Sequence, residues 1–227
     1  MVGDYNIGLF VLYMVALVFS LSFHEAAHAW MSNRFGDDLA RLQGRITLNP
    51  TSHVDPIGTL LFPAIAFFTG APLLGWARPT PVNPNKWRNK RVANIWVSAA
   101  GVIVNTIIAI CAGIGIRVLY ETGVVGLVGD QIAVVNADST FTDGVWQLLK
   151  VLFTLNVVLA VFNLLPIPPL DGGKILGSLL PESFAPAFEA IERYGLILLI
   201  IALFTGVFRV IFSVINPLAW SIVFLGA

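Results

Sequence analysis

The chain has 227 residues, 57% of them hydrophobic and only 11% charged, with 13 basic against 13 acidic side chains. Soluble domains carry about 25% charged residues, so the composition excludes an ordinary soluble enzyme, and zero net charge gives no bulk attraction to nucleic acid. The single cysteine, Cys111, excludes a disulfide framework and a cysteine-built zinc cluster.

The first apolar segment runs from Ile7 to Met31, long enough to cross a bilayer with some tilt. The six residues before it carry Asp4 and no Lys or Arg. A secretory signal has a basic start, so the span is expected to be retained. Its end reads "FHEAAHAW" and places His24, Glu25 and His28 where an ionisable side chain costs roughly 2.5 kcal/mol or more. The two histidines, four residues apart, share one helix face, and Glu25 lies on the adjoining face. This is H-E-x-x-H, the zinc metallopeptidase signature.

A polar section, 32–55, follows. Ala40 to Leu48 partly alternates and ends at Asn49-Pro50, which predicts a short strand. Pro56 to Gly75 is apolar but broken by Pro56, Pro63, Pro72, Gly58, Gly70 and Gly75, so a short crossing and a re-entrant hairpin are both open. Residues 76–91 carry Arg78, Lys86, Arg88, Lys90 and Arg91. Val92 to Leu119 is a clear span with Gly101 and Asn105 early in it. The loop 121–144 has Glu121, Asp130, Asp138 and Asp143 and no basic residue. Val145 to Leu165 is a third span and runs into "NLLPIPPLDGGK". After a mixed-charge loop, the final 33 residues are apolar except for Arg209. They hold one long span or two short ones, split near Thr205-Gly206 or at Pro217.

Basic loops mark the cytoplasmic side. The loops 32–55 and 76–91 are both basic, and a re-entrant 56–75 puts them on one side. The first span then runs inward from an N-terminus outside, and 145–165 runs inward again. His24, His28 and Asp171 then share the cytoplasmic-side depth.

A catalytic zinc usually takes three protein ligands and a water. The only histidine besides the pair is His53. A carboxylate, Asp171, is the other candidate. Pro166, Pro168 and Pro169 forbid a regular helix before it, and Gly172 and Gly173 are expected to let the backbone turn sharply after it. Capping of the next helix is the alternative role for Asp171.

"FHEAAHAW" together with "NLLPIPPLDGG" resembles the site-2 protease family of intramembrane zinc metalloproteases, in its compact prokaryotic branch. Asn163, Pro166, Asp171 and Gly172 match the family's N-x-x-P-x-x-x-x-D-G pattern. The resemblance implies one zinc ion per chain on His24, His28 and Asp171, with Glu25 as general base and Asn163 steadying substrate or oxyanion. The segment "AAGVIVN" resembles the family's small-residue helix, with Val102 where a proline is usual, and suggests Asn105 at the substrate groove. "TLNPTSHVDPIGT" resembles the same branch, where His53 holds its loop or lies near the metal. Loop 121–144 has no room for a PDZ domain, and neither a regulatory domain after the last span nor an extra early span is expected.

These readings predict an all-α polytopic membrane protein. A three-helix catalytic core, about 7–180, carries a re-entrant or short-strand segment, with one or two C-terminal helices over about 190–226. The whole chain, 1–227, is expected to be one peptidase domain in the cell membrane. Its partners are the lipid bilayer and a transmembrane protein substrate, which the strand near Arg41 to Leu48 is expected to pair with. Two rival readings use the same residue types. A zinc transporter on the same His/His/Asp site would show more polar spans or an inverted repeat, and an iron oxygenase generally needs more than three histidines.

Overall fold

The computed structural model describes residues 7–70, 75–128, 131–135 and 140–226. Helix α1 (Ile7–Arg34) is 28 residues long, about 42 Å at 1.5 Å per residue, more than a bilayer core of roughly 30 Å requires.

The strand expected at Ala40 to Leu48 does not form; a single helical turn, α2 (Leu39–Leu42), stands there instead. Asp37 sets that turn by accepting from the Leu39 amide at 3.1 Å. Arg45, whose exposure is only 4%, turns inward to the carbonyls of Ser52, Arg78 (2.5 Å) and Pro79 (2.7 Å). The partial alternation thus reflects side chains committed to loop carbonyls, not a pleated face.

The π-helical turn Pro56–Leu61 starts on Asp55, whose carboxylate accepts from the amides of Ile57 (3.0 Å) and Gly58 (2.7 Å). It continues into α3 (Phe62–Thr69) and ends at Gly70, φ 68°. Pro56–Thr69 is a shorter apolar helix, about 21 Å long, too short to cross. The chain then comes back to where it began. The Trp76 amide donates to Gly58 O at 3.2 Å, and Thr59 Oγ1 donates to Trp76 O at 2.8 Å. The segment is therefore re-entrant in form; Pro72 lies outside the described residues.

Residues 75–89 lie across the end of α1. Buried Asp37 fastens them, accepting from the Asn83 amide at 2.7 Å and from Ser32 Oγ at 3.0 Å, while Trp87 Nε1 donates to Ser32 Oγ at 2.8 Å. At the surface Lys86 and Asp38 pair at 2.5 Å. The two basic loops accordingly sit together at one end of the bundle.

Helix α4 (Lys90–Glu121) is capped by Asn89, whose side chain accepts from the Val92 amide. Small residues on it, Ala93, Ala100, Ala109 and Ala112, are buried, which lets backbones approach closely as membrane helices do. Its other face shows Ile103, Ile107, Ile110, Ile114 and Val118 exposed. An antiparallel hairpin, β1 (Val125–Val128) and β2 (Gln131–Val134), which the sequence reading had not anticipated, leads toward α5 (Thr140–Leu164). Asp130 and Asp138 of this loop lie outside the described residues.

Helix α6 (Asp171–Leu179) begins directly after the prolines. Arg91 ties its end to α4, donating to Ser178 O at 2.6 Å and Leu179 O at 2.9 Å, carbonyls that a helix terminus leaves without partners. Then come α7 (Ala185–Arg193), α8 (Gly195–Phe204) and α9 (Val207–Val223). The last two are bent by 72° at the Thr205-Gly206 break, with Gly206 at φ 77°. Pro217 sits inside α9 without ending it. Trp220 of α9 packs on Phe153 of α5, ring centroids 4.9 Å apart. Among the described residues three helices are long and apolar enough to cross a membrane, or four if the bent pair is one span. The fold is an all-α polytopic membrane protein.

Candidate metal centre

Helix α1 turns His24 and His28 toward α4, where both are more than nine-tenths buried. Gly101 makes room for His24: a Cβ there would lie 2.4 Å from His24 Cε1. Each imidazole is anchored through Nδ1, His28 to Val97 O at 2.6 Å and His24 to Asn105 Oδ1 at 2.5 Å. Both partners are acceptors, so each Nδ1 carries the proton and each Nε2 holds a lone pair.

Those two Nε2 atoms face one another at 3.0 Å. Asp171 closes a triangle, with Oδ2 3.3 Å from His24 Nε2 and 3.2 Å from His28 Nε2. Among the described residues its fully buried Oδ2 has no hydrogen-bond partner. Three lone-pair donors thus converge and supply no proton among themselves. That arrangement is repulsive unless a cation sits among them. A tetrahedral zinc with ligands about 2.0–2.1 Å away separates its donors by about 3.3 Å, close to the 3.0–3.3 Å observed. Two imidazoles and one carboxylate also suit zinc by donor type, so these residues fit the ion.

Asp171 gets there by close backbone packing. A Cβ on Gly172 would lie 2.1 Å from Leu164 O, and one on Gly173 2.6 Å from Pro168 N. Neither glycine has a positive φ. They serve close approach of α6 to the end of α5, and the sharp turn expected of them is not their role. The Asp171 carboxylate is not the α6 cap, a position held by Leu170 without a side-chain bond. Its Oδ1 instead pairs with Lys174 Nζ at 3.2 Å.

Glu25 is half-buried beside the pair, with a carboxylate oxygen within 4.8 Å of both imidazoles. The Thr80 amide donates to Glu25 Oε2 at 2.8 Å, and Thr80 Oγ1 donates to Glu25 O at 3.0 Å. Arg45 holds that stretch by its bonds to the carbonyls of Arg78 and Pro79. Burial, and then the neighbouring Arg78, pull the Arg45 guanidinium below its ordinary value, though an arginine stays charged.

Of the other sequence candidates, Asn105 joins the site through His24, whereas Asn163 and His53 bond elsewhere. Asn105 is fully buried, its carbonyl on His24 and its amide on Asn156 Oδ1 at 2.7 Å. Asn163 stands near the end of α5, half-buried, its amide donating to Leu159 O at 3.0 Å. His53 is buried in its own loop, Nε2 bonded to Thr47 O at 2.8 Å. Sequence reasoning missed Thr80, Lys174, Asn156 and Ser20. Asn156, a lone amide inside an apolar span, was the detectable one, because polar groups at that depth need a partner.

A family model described as peptidase family M50 matches residues 12–205. A Bacillus subtilis (strain 168) protein named "Putative zinc metalloprotease YwhC" is 36% identical over 201 residues, covering 88% of this chain and 84% of its own. Two mycobacterial proteins named "Putative zinc metalloprotease Rip2" are also similar. That of Mycolicibacterium smegmatis is 29% identical over 88% of this chain and 69% of its own, and that of Mycobacterium tuberculosis (Erdman) is 30% identical over 88% and 71%. No solved structure matches the chain.

Proposed function

The chain belongs to peptidase family M50, and from that premise we propose that it is an intramembrane zinc endopeptidase cutting transmembrane segments of other proteins. The observation that carries the reading is the buried triangle of His24, His28 and Asp171 donors, 3.0–3.3 Å on a side, with Glu25 alongside. His24 Nε2, His28 Nε2 and one Asp171 oxygen would hold a single zinc ion. When bound, the ion supplies Lewis acidity and lowers the pKa of water toward neutrality.

The rest is the work of this chain. Glu25, steadied by the Thr80 amide, takes a proton from the attacking water and delivers it to the departing amine. Lys174 offsets the Asp171 charge on the side away from the histidines. Asn163, one turn above the proline stretch, is assigned to the substrate carbonyl, where a fixed donor is worth most as negative charge develops. A helical substrate hides its carbonyls in i to i−4 bonds, so it must unwind to reach Glu25. One peptidase unit spans 1–227, with its core at about 7–180 and the C-terminal helices, about 190–226, packing beside it through Trp220 and Phe208. The two basic loops face the cytoplasm, with the metal donors near that side.

The test is co-reconstitution of the purified chain with single-span membrane proteins in liposomes. Intact protein should cut within the span. Glu25→Gln should keep its zinc and lose cleavage by about 10²-fold or more. A variant that loses neither, or a protein that moves zinc across the bilayer without cutting, contradicts the reading.

A further inference from the structure

His28 takes its Nδ1 acceptor directly from backbone, the Val97 carbonyl. His24 does not. Its acceptor is an amide side chain, Asn105, and an amide can rotate by half a turn to offer a donor in place of an acceptor. Something must decide which end of Asn105 faces the imidazole.

The structure supplies it. Asn156 Nδ2 lies 2.8 Å from Leu152 O and 2.8 Å from Ser20 Oγ. A carbonyl only accepts, so the nitrogen of Asn156 must be the atom pointing there. Ser20 Oγ lies 2.7 Å from Ala16 O and spends its proton on that carbonyl, so it meets Asn156 with a lone pair. Asn156 Oδ1 is therefore turned to Asn105, whose Nδ2 donates to it at 2.7 Å. Asn105 Oδ1 is left for His24 Nδ1, at 2.5 Å. Ser20, Asn105 and Asn156 are each fully buried, so no water competes. The polarity is fixed at two backbone carbonyls and transmitted in one direction.

We propose that this chain, Ser20 to Asn156 to Asn105, sets the tautomer of His24 and so holds its Nε2 lone pair toward His28 and Asp171. Asn156 and Ser20 are positioning residues. The inference rests on the reading that those three donors hold zinc. Partners of this kind orient metal-binding imidazoles, and losing one weakens metal affinity by about 10–100-fold. A plain interhelical hydrogen bond would make Asn156 a packing residue only, with no say over His24.

The experiment uses the full chain in detergent with ¹⁵N-labelled histidine, of which there are three. In chelator-treated wild type, His24 should be the Nδ1–H tautomer; an Nε2–H tautomer overturns the proposal, with or without zinc binding. In Asn156→Leu, His24 should shift toward Nε2–H while His28 does not, and zinc should bind about 10-fold more weakly or worse. Adding Asn105→Asp, which has no donor to turn the wrong way, should restore most of that affinity. Unchanged affinity in Asn156→Leu, or no rescue, overturns the proposal. Should Asn156→Leu fail to fold, Asn156→Asp decides beside the wild-type tautomer. It still accepts from Asn105 and should keep Nδ1–H, and its loss of that tautomer overturns the proposal. Wild type with the Nδ1–H tautomer but no zinc binding overturns the metal reading separately.

Discussion

A methyl group on Gly101 would lie 2.4 Å from Cε1 of His24, so the imidazole occupies the space an ordinary side chain would need. Gly101→Ala should therefore displace His24 although alanine is the better helix former by about 1 kcal/mol. Zinc content after dialysis should fall sharply, while circular dichroism stays helical. Full zinc retention would show that the imidazole has room to give.

Gly172 tests the other arm of the site. Its added Cβ would meet a backbone atom, Leu164 O, at 2.1 Å, and backbone cannot swing aside. Gly172→Ala should cost roughly 2 kcal/mol or more and withdraw Asp171 from the histidines. Gly144, whose added Cβ would meet nothing within 4 Å among the described residues, is the control, and Gly144→Ala should melt no lower than wild type in detergent.

Thr80 offers Glu25 two bonds that substitutions can separate. Thr80→Ala removes only the hydroxyl donor to Glu25 O, whereas Thr80→Pro also removes the amide donor to the carboxylate. A hydrogen bond to a charged group contributes about 1.5–3 kcal/mol. Thr80→Pro should therefore lower kcat/KM about tenfold or more below Thr80→Ala, with zinc content equal in both. Equal rates would mean that the Glu25 carboxylate is held without the Thr80 amide.

Asn163 should matter to catalysis and not to metal. Asn163→Ala should reduce kcat by about 10²-fold if its amide meets the developing oxyanion, leaving zinc affinity at the wild-type value. A change in zinc affinity with an unchanged rate would return Asn163 to a packing role.

Zinc removal should be reversible. The helices are packed through small residues and side-chain amides that need no ion, such as Ala16, Ala100 and Asn156. Chelation should abolish cleavage without loss of helicity, and added zinc should restore it. Irreversible unfolding on chelation would make the ion part of the fold.

Much of this was legible because burial in lipid makes polar groups conspicuous. His24, His28 and Glu25 interrupt an apolar run, and Asp171 follows prolines that preclude a helix. The composition of 56–75 left a short crossing and a re-entrant turn both open, the loop charges favoured the turn, and the bond from the Trp76 amide to Gly58 O brings the two ends of the segment together. The strand at Ala40 to Leu48 failed because alternation records burial and not pairing. Arg45 is buried there against carbonyls some thirty residues away in the chain, a contact no local pattern carries. The glycines after Asp171 suit a turn by residue type but serve close approach, a distinction set by the end of α5 and the proline stretch that meet them. Thr80 gave no signal, since its backbone amide is the group that acts.

The central claim is that His24, His28 and Asp171 grip one zinc ion. X-ray absorption at the zinc edge of the purified chain tests it most directly. The expected spectrum has one zinc per chain with a nitrogen and oxygen shell at about 2.0–2.1 Å and two imidazoles, the imidazole signal falling by half in His28→Ala. A sulfur neighbour at about 2.3 Å, or a spectrum indifferent to His28→Ala, would contradict it.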